Sequence, residues 1–229
     1  MQPFHKSLTA LTLTSLLFAA SPALAQPAAP FEEGKHYFKI ETPEGYRPID
    51  GVKVTEVFSY LCSHCASFEP YIENWHAKQP ESVEFDRIPV EFGRAIWSLY
   101  ARAYVTASVL GIEDVAHKPM MDALWKDKRQ MRSMEELAEF YSQFGVDAEK
   151  FVATSKSFAV DMRMKREQQQ VREAGVNGTP SMIVNGKYRV SAGGAVSGFD
   201  QILAVVDYLV AQEMAAESVA QVAPAAATP

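Results

Sequence analysis

The chain has 229 residues, of which 48% are hydrophobic and 22% are charged, and its 22 Lys and Arg against 28 Asp and Glu give a net charge of −6. This length supports one well-formed core, or one domain with an insertion. The acidic balance argues against the basic surface of proteins that bind nucleic acid or anionic lipid, so no nucleic-acid partner is expected.

The first 25 residues have the pattern of a secretory signal peptide. Lys6 provides a basic start, an apolar run extends from Leu8 to Ala20, and Ala23-Leu24-Ala25 forms an A-x-A cleavage site. The apolar run is short and interrupted by Thr and Ser, which argues against a membrane anchor. We therefore expect cleavage after Ala25, export to an oxidising compartment, and a flexible Pro/Ala-rich leader over residues 26–35.

The next elements in chain order are strands and one helix. Alternating or β-branched runs predict strands over 36–41, 52–61 and 83–90, and i, i+3, i+4, i+7 spacing of apolar residues predicts a helix over about Ser63–Ala77. Helical periodicity then prevails from about Arg94 to Ala174, with a capping box at Ser133 and Glu136. The middle of the chain is thus expected to be an all-helical block.

Strand signals return near the C-terminus. Residues 181–185 and 187–190 flank Asn185-Gly186, which predicts a hairpin with a type I′ turn. Ser197 and Asp200 can cap a last helix through Val210, and the Ala-rich tail over 213–229 is expected to be disordered.

A C-x-x-C pair, Cys62 and Cys65, lies where the second strand meets the helix, and the chain has no other cysteines. A disulfide here would close a four-residue loop, which stabilises a fold by only about 2 kcal/mol. A structural zinc site needs four ligands, and two cysteines with His64 fall short. A working redox pair is favoured over both, on a thioredoxin-like α/β fold with an inserted all-helical domain.

The position of the pair suggests an asymmetry between the two thiols. Cys62 falls at the helix start, where free backbone N–H groups and the helix dipole stabilise a thiolate. Cys65, one turn further, should be more buried and have the higher pKa. His64 either stabilises the Cys62 thiolate or is a plain exposed residue, while Ser63 is neutral and tunes the pair.

Two further features leave their alternatives open. Glu56 either faces inward and exchanges protons with Cys65, or lies on the solvent side of its strand. The Thr179–Pro180 bond is either cis, exposing the Thr179 backbone to an added strand of substrate, or an ordinary trans bond.

With these residues in place, the chain resembles the DsbA family of periplasmic thiol–disulfide oxidoreductases. "EVFSYLCSHC" is similar to the family's redox motif and "GVNGTPSMIVNGKY" to its cis-proline segment, and the likeness covers about residues 36–210. The resemblance implies a discontinuous thioredoxin-like domain over 36–92 and 175–212, with a helical insertion domain over 93–174.

The resemblance also assigns roles and partners. It implies the following site: Cys62 as nucleophile, Cys65 as buried partner, His64 as thiolate stabiliser, Glu56 as buried acid, and Thr179 with Pro180 as the cis-proline substrate site. It implies disulfide donation to newly translocated proteins in the periplasm and reoxidation by a quinone-linked membrane partner of the DsbB type. We further expect a monomer, with no metal or cofactor.

Two residues depart from the family pattern. Ser63 stands where the family usually has proline, which shifts the expected redox potential, and Thr179 stands where valine is frequent, which affects substrate release. A disulfide isomerase or reductase, and a non-catalytic chaperone or adaptor, are the alternative functions.

Overall fold

The computed structural model describes residues 29–41 and 51–222, with side chains up to residue 219. The elements in chain order are β1 (Phe38–Lys39), β2 (Val52–Phe58), α1 (Ser63–His76), β3 (Val83–Pro89), α2 (Ala95–Val109), α3 (Glu113–Trp125), α4 (Met134–Ser142), α5 (Ala148–Ser155), α6 (Phe158–Glu173), β4 (Ser181–Val184), β5 (Tyr188–Ser191) and α7 (Phe199–Val222). The predicted mixed α/β class is confirmed. The predicted signal peptide and residues 26–28 of the leader lie outside the described residues.

The sheet has the order β1-β5-β4-β2-β3, which places β2 in its interior. β2 pairs in parallel with β3 and antiparallel with β4. The β-branched and aromatic residues of β2 suit this place because both of its faces are covered. The parallel β2–β3 pair requires a crossover, and α1 provides it, so the start of α1 lies near the end of β2.

The hairpin and the caps follow local sequence signals. Asn185 and Gly186 have φ of 51° and 64°, and both values are positive as a type I′ turn requires. Ser133 Oγ accepts a hydrogen bond from the Glu136 backbone N–H at 3.1 Å, as predicted. Ser197 bonds Gln201 rather than Asp200, because Gln201 Oε1 accepts from both the Ser197 backbone N–H and its hydroxyl.

Helices α2 to α6 fill the chain between β3 and β4, where the helical block was predicted. Their apolar faces form one buried cluster with the end of β2 and the start of α1, including Phe58, Tyr60 and Cys65. A second cluster packs α1 and α7 against the sheet. The redox motif is therefore at the junction of the helical block and the sheet, and the division into separate domains stays a prediction.

Two expectations about the ends of the chain are wrong. The leader is not free over residues 31–35, because Phe31 packs edge-on against Tyr208 with a ring-centroid distance of 5.6 Å. The disordered tail does not begin at 213, because α7 continues to Val222 and Glu213 is buried. Glu213 Oε2 accepts hydrogen bonds from Asn185 Nδ2 at 2.5 Å and from Lys187 Nζ at 2.6 Å, and these bonds attach α7 to the hairpin at this position.

Within residues 29–41 and 51–222, no helix has both the length and the apolar character needed to cross a bilayer.

Candidate active site

Cys62 lies at the boundary between strand and helix. Its backbone is extended, with φ of −96° and ψ of 117°, and it is the N-cap of α1. Its N–H donates to Ser59 O at 3.1 Å, which closes the turn after β2. The side chain thus lies beside the free N–H groups of the first helical turn.

Several donors converge on the Cys62 sulfur. The pKa of Cys62 is lowered to about 5, and the largest cause is a hydrogen bond from the Cys65 thiol. Partial burial opposes this effect. The Thr179 side chain and the backbone N–H groups of Cys65 and His64 lower the pKa further. At neutral pH Cys62 is therefore mainly a thiolate, the form that reacts in thiol–disulfide exchange. In the protonated form the Cys62 thiol lies 3.5 Å from the Thr179 carbonyl oxygen.

Cys65 has the opposite environment. Its side chain is fully buried, and burial together with the hydrogen bond to Cys62 raises its pKa far above the ordinary value for a thiol. The two sulfurs, one turn apart on α1, thus differ strongly in acidity and in access. This difference favours attack at Cys62 and retention of a proton at Cys65.

Ser63 and His64, between the cysteines, are both exposed. The backbone N–H of His64 is among the groups that lower the Cys62 pKa most, and the His64 imidazole is not. The roles predicted for the His64 ring and for Ser63 therefore stay predictions.

Glu56 faces inward from β2, so the solvent-side alternative is wrong. It is 0% exposed, its Oε2 accepts from Arg87 Nε at 2.9 Å, and its Oε1 has no hydrogen-bond partner among the residues described. Burial, opposed by Arg87 and reinforced by the charge of Glu69, raises the pKa of Glu56 to about 7. Its charge also contributes to the raised pKa of Cys65. A carboxyl group with this pKa can give or take a proton near neutral pH.

The Thr179–Pro180 peptide bond is cis, so the expectation of an ordinary trans bond is wrong. Pro180 immediately precedes β4, whose Met182 pairs with Glu56 of β2. The sheet thereby brings the Thr179 backbone beside Cys62, although 117 residues separate the two in sequence.

A buried polar network that was not predicted lies behind the cysteines. Arg87 of β3 contacts Glu56 and also Glu69 of α1, with an Nη2–Oε1 distance of 3.2 Å. His117 of α3 contacts Glu69 Oε2 through Nε2 at 3.1 Å and the Tyr60 hydroxyl through Nδ1 at 3.2 Å. The parallel register places Glu56 opposite Arg87.

A sequence signal existed for part of this network. Glu69 falls between the buried positions Phe68 and Ile72, where a surface carboxylate would not be expected. His117 gave no such signal, because its partners come from other elements. In the described ranges, no three His, Cys, Asp or Glu side chains are grouped closely enough to hold a metal ion.

Comparison with known proteins agrees with this geometry. The profile of the DSBA-like thioredoxin domain matches residues 53–210. The chain is 36% identical over 207 residues to the thiol:disulfide interchange protein DsbA of Pseudomonas aeruginosa, covering 90% of this chain and 97% of that protein. It is 34% identical over 204 residues to the DsbA of Azotobacter vinelandii, covering 89% and 94%.

The fold is similar as well. The crystal structure of Pseudomonas aeruginosa DsbA superposes with a TM-score of 0.74 at 35% identity, over 82% of this chain and 97% of that one. The architecture of sheet, redox helix and helical block is therefore the thioredoxin-like DsbA fold. By sequence, by fold and by the place of its two cysteines, the chain belongs to the DsbA family of thiol:disulfide oxidoreductases.

Proposed function

We propose that this thiol:disulfide oxidoreductase is an oxidant that donates a Cys62–Cys65 disulfide to newly exported proteins in the periplasm. The observation that carries the proposal is the low pKa of Cys62 beside a buried Cys65 of high pKa. Whatever stabilises the thiolate stabilises the reduced enzyme, and a more stable reduced form makes the disulfide a stronger oxidant.

The reaction consists of two exchanges. A substrate thiolate attacks the Cys62 sulfur, the Cys62–Cys65 bond breaks, and Cys65 leaves with the electron pair and takes up a proton. A second substrate thiolate then attacks the substrate sulfur of the mixed disulfide and expels Cys62 as a stable thiolate. The substrate loses two electrons and the enzyme gains them.

Glu56 is the proposed source of the proton for Cys65. It is buried in β2, it is close enough for its charge to act on Cys65, and its pKa is about 7. A neutral Glu56 donates as Cys65 leaves, and an ionised Glu56 accepts the proton when the enzyme is reoxidised. His64 and Ser63 tune the Cys62 thiolate from the exposed start of α1.

Substrate and partner binding follow from the cis-proline segment. Thr179 and Pro180 lie beside Cys62, where an extended polypeptide can pair with the Thr179 backbone as an added strand. The proposed partners are unfolded substrates with free thiols and a quinone-linked membrane protein of the DsbB type that restores the disulfide. The enzyme works as a monomer after cleavage at Ala25, with residues 93–174 as its helical insertion domain.

Equilibration with glutathione, followed by thiol trapping, tests the direction of the reaction. We expect the reduction potential of the Cys62–Cys65 pair to lie well above that of thioredoxin. A reduction potential as low as thioredoxin's would contradict the proposed oxidant function and favour a reductase. Cys62→Ser should abolish oxidation of a reduced substrate protein. Cys65→Ser also removes the internal disulfide and should abolish oxidation, but its Cys62 thiolate should still attack a disulfide that a substrate already carries and accumulate the mixed disulfide, because no Cys65 is present to resolve it. A chaperone that only binds unfolded chains would keep its function in both variants.

A further inference from the structure

A groove of about 310 Å³ opens beside the nucleophile, on the side of the helical block. Its apolar lining includes Leu61, which directly precedes Cys62, together with Ile96, Leu124 and Trp125. Ile96 is 42% exposed, which is unusual for an isoleucine next to a buried cluster. The groove thus offers apolar surface within one residue of the reactive sulfur.

Hydrogen bonds fix the walls of this groove to the active-site segment. Trp125 Nε1 donates to the carbonyl oxygen of Tyr60 at 2.9 Å. The Tyr100 hydroxyl donates to Met131 O at 2.9 Å and accepts from Met131 N at 3.1 Å, so it holds the loop after α3 from both sides. A groove fixed in this way needs little ordering when it binds a ligand.

The rim of the groove is basic in a protein that is acidic as a whole. Lys128, Arg129 and Arg132 line the groove and are all exposed. None of the three side chains forms an ion pair within the part of the chain that the structure describes. The neighbouring Glu136 has one carboxylate oxygen engaged by the backbone N–H of Arg132 at 2.7 Å. Their contacts are with neutral groups, since Arg132 Nη2 donates to Gln130 Oε1 at 2.8 Å and Lys128 and Arg129 lie over the rings of Trp125 and Phe140. The three charges are therefore not neutralised by a contacting carboxylate in the described ranges and can attract an external anion.

We propose that this basic groove, formed by the apolar lining and the three cations, binds a substrate segment with an apolar residue followed by carboxylates, close to the substrate cysteine. The proposal rests on the proposed oxidase function and names the substrate class that this site prefers. An extended chain advances about 3.3 Å per residue, so residues two to four positions from the substrate cysteine extend about 7–13 Å from Cys62. Leu61, which directly precedes Cys62, lies in the lining of the groove and places it on this scale. The apolar side chain covers the lining and the carboxylates meet the cations at the rim.

The test uses the full-length mature enzyme and synthetic peptides with two cysteines. Three peptides carry Leu-Glu-Glu, Leu-Gln-Gln or Leu-Lys-Lys beginning two residues from the first cysteine, and a second set places the same triplets on its other side. The rate at which each peptide reduces the oxidised enzyme is measured by thiol trapping. Each rate is divided by the rate with dithiothreitol for the same enzyme variant, so that changes in the redox pair itself cancel.

We expect the Glu peptide of at least one set to react roughly three- to tenfold faster than the Lys peptide at low ionic strength, with the difference shrinking in high salt. The double variant K128E/R132E should reverse this order. The matched control K78E/K156E changes the net charge equally at exposed lysines outside the groove and should keep the order of the wild type.

Three outcomes would overturn the proposal. These are equal normalised rates for all peptides, an equal change of preference in the control variant, or a K128E/R132E variant that alters sedimentation while peptide preference stays the same. The last result would assign the groove to contact between two copies of the chain. Failure to oxidise any peptide would instead refute the proposed oxidase function, so the two failures are distinguishable.

Discussion

The acidity of Cys62 comes from several donors, and removal of each donor separates their effects. The hydrogen bond from the Cys65 thiol is the largest of them. A hydrogen bond to a charged acceptor contributes about 1.5–3 kcal/mol, which corresponds to about one to two pKa units. We therefore expect Cys65→Ala to raise the pKa of Cys62 by about that amount, as measured by thiolate absorbance against pH.

His64→Ala is the informative comparison for this measurement. The variant keeps the backbone N–H that reaches Cys62 and removes only the imidazole. We expect it to raise the Cys62 pKa by less than Cys65→Ala does, and Ser67→Ala, at an exposed position one turn further along α1, to serve as the control. A larger effect of His64→Ala would show that the ring, not the neighbouring thiol, dominates the stabilisation of the thiolate.

Glu56 makes a pH-dependent contribution to stability whose sign is set by its raised pKa. The folded-state pKa is about 7 against an ordinary value of 4.5, so the folded protein binds more protons than the unfolded chain between these values. The free energy of unfolding therefore falls as pH rises from 4.5 to 7, by up to about 3 kcal/mol.

Glu56→Gln should remove this loss. In urea unfolding of the oxidised form, where the thiols do not titrate, we expect the variant to gain stability relative to the wild type between pH 5 and pH 8. Glu135→Gln, at an exposed position of α4, should follow the wild-type profile. A wild-type-like profile for Glu56→Gln would mean that Arg87 keeps Glu56 ionised over this range.

At the scale of elements, His117 joins α3 to α1 and to the end of β2. It is 3% exposed, and both ring nitrogens have partners, Glu69 and the Tyr60 hydroxyl. Burial, with the nearby charge of Arg87, lowers the pKa of His117, so the ring is neutral at physiological pH. A neutral imidazole here provides a hydrogen-bond partner to one oxygen of a buried carboxylate and to a buried hydroxyl.

His117→Leu should destabilise the protein by about 2–4 kcal/mol, because it leaves Glu69 Oε2 and the Tyr60 hydroxyl without this partner. The measurement is urea unfolding at pH 7. Lys118, the next residue of α3, forms an exposed ion pair with Glu73 of α1 at 3.4 Å. Lys118→Ala removes this pair and should lower the free energy of unfolding by less than about 1 kcal/mol. Equal losses in the two variants would contradict a special role for the buried contact.

The elements also show which parts of this fold can be predicted from sequence. Strand β2, helix α1 and the β4–β5 hairpin were predicted nearly to their ends, because apolar periodicity and the Asn185-Gly186 turn are local signals. Helix α5 was not predicted as a separate element, since its eight residues are too few for a clear period. The leader and the tail were wrong because the packing of Phe31 and the bonds of Glu213 depend on residues far away in sequence.

The candidate site likewise has a part that could be predicted from the sequence and a part that could not. The spacing of Cys62 and Cys65 and the place of Glu56 before them are visible in a short stretch of sequence. The contacts of Arg87, Glu69 and His117 arise only when β3, α1 and α3 meet, so no local pattern contains them. Tertiary packing, rather than propensity, determines this part of the site.

At the scale of the whole molecule, the redox state and the stability of the fold are linked through Cys62. Its pKa falls from an ordinary value of 9 to about 5 on folding, so the unfolded reduced chain binds more protons than the folded one between these values. The stabilisation of the reduced form is complete above pH 9 and is lost as pH falls through 5. After a discount for solvent screening at the rim of the site, it amounts to about 2 kcal/mol at pH 7.

The oxidised form gains stability from a different source, one that does not depend on pH. Closing a four-residue loop with a disulfide restricts the unfolded chain by about 2 kcal/mol. The two contributions are similar near neutral pH, so we expect the melting temperature of the reduced form to exceed that of the oxidised form increasingly from pH 7 to 9. The order should reverse as pH falls below 7, and below pH 5 only the loop contributes, because Cys62 is then protonated in both the folded and the unfolded chain. Calorimetry of both forms at pH 4.5, 7 and 8.5 checks this, and a difference that stays constant across the three would show that the thiolate is not the source of the linkage.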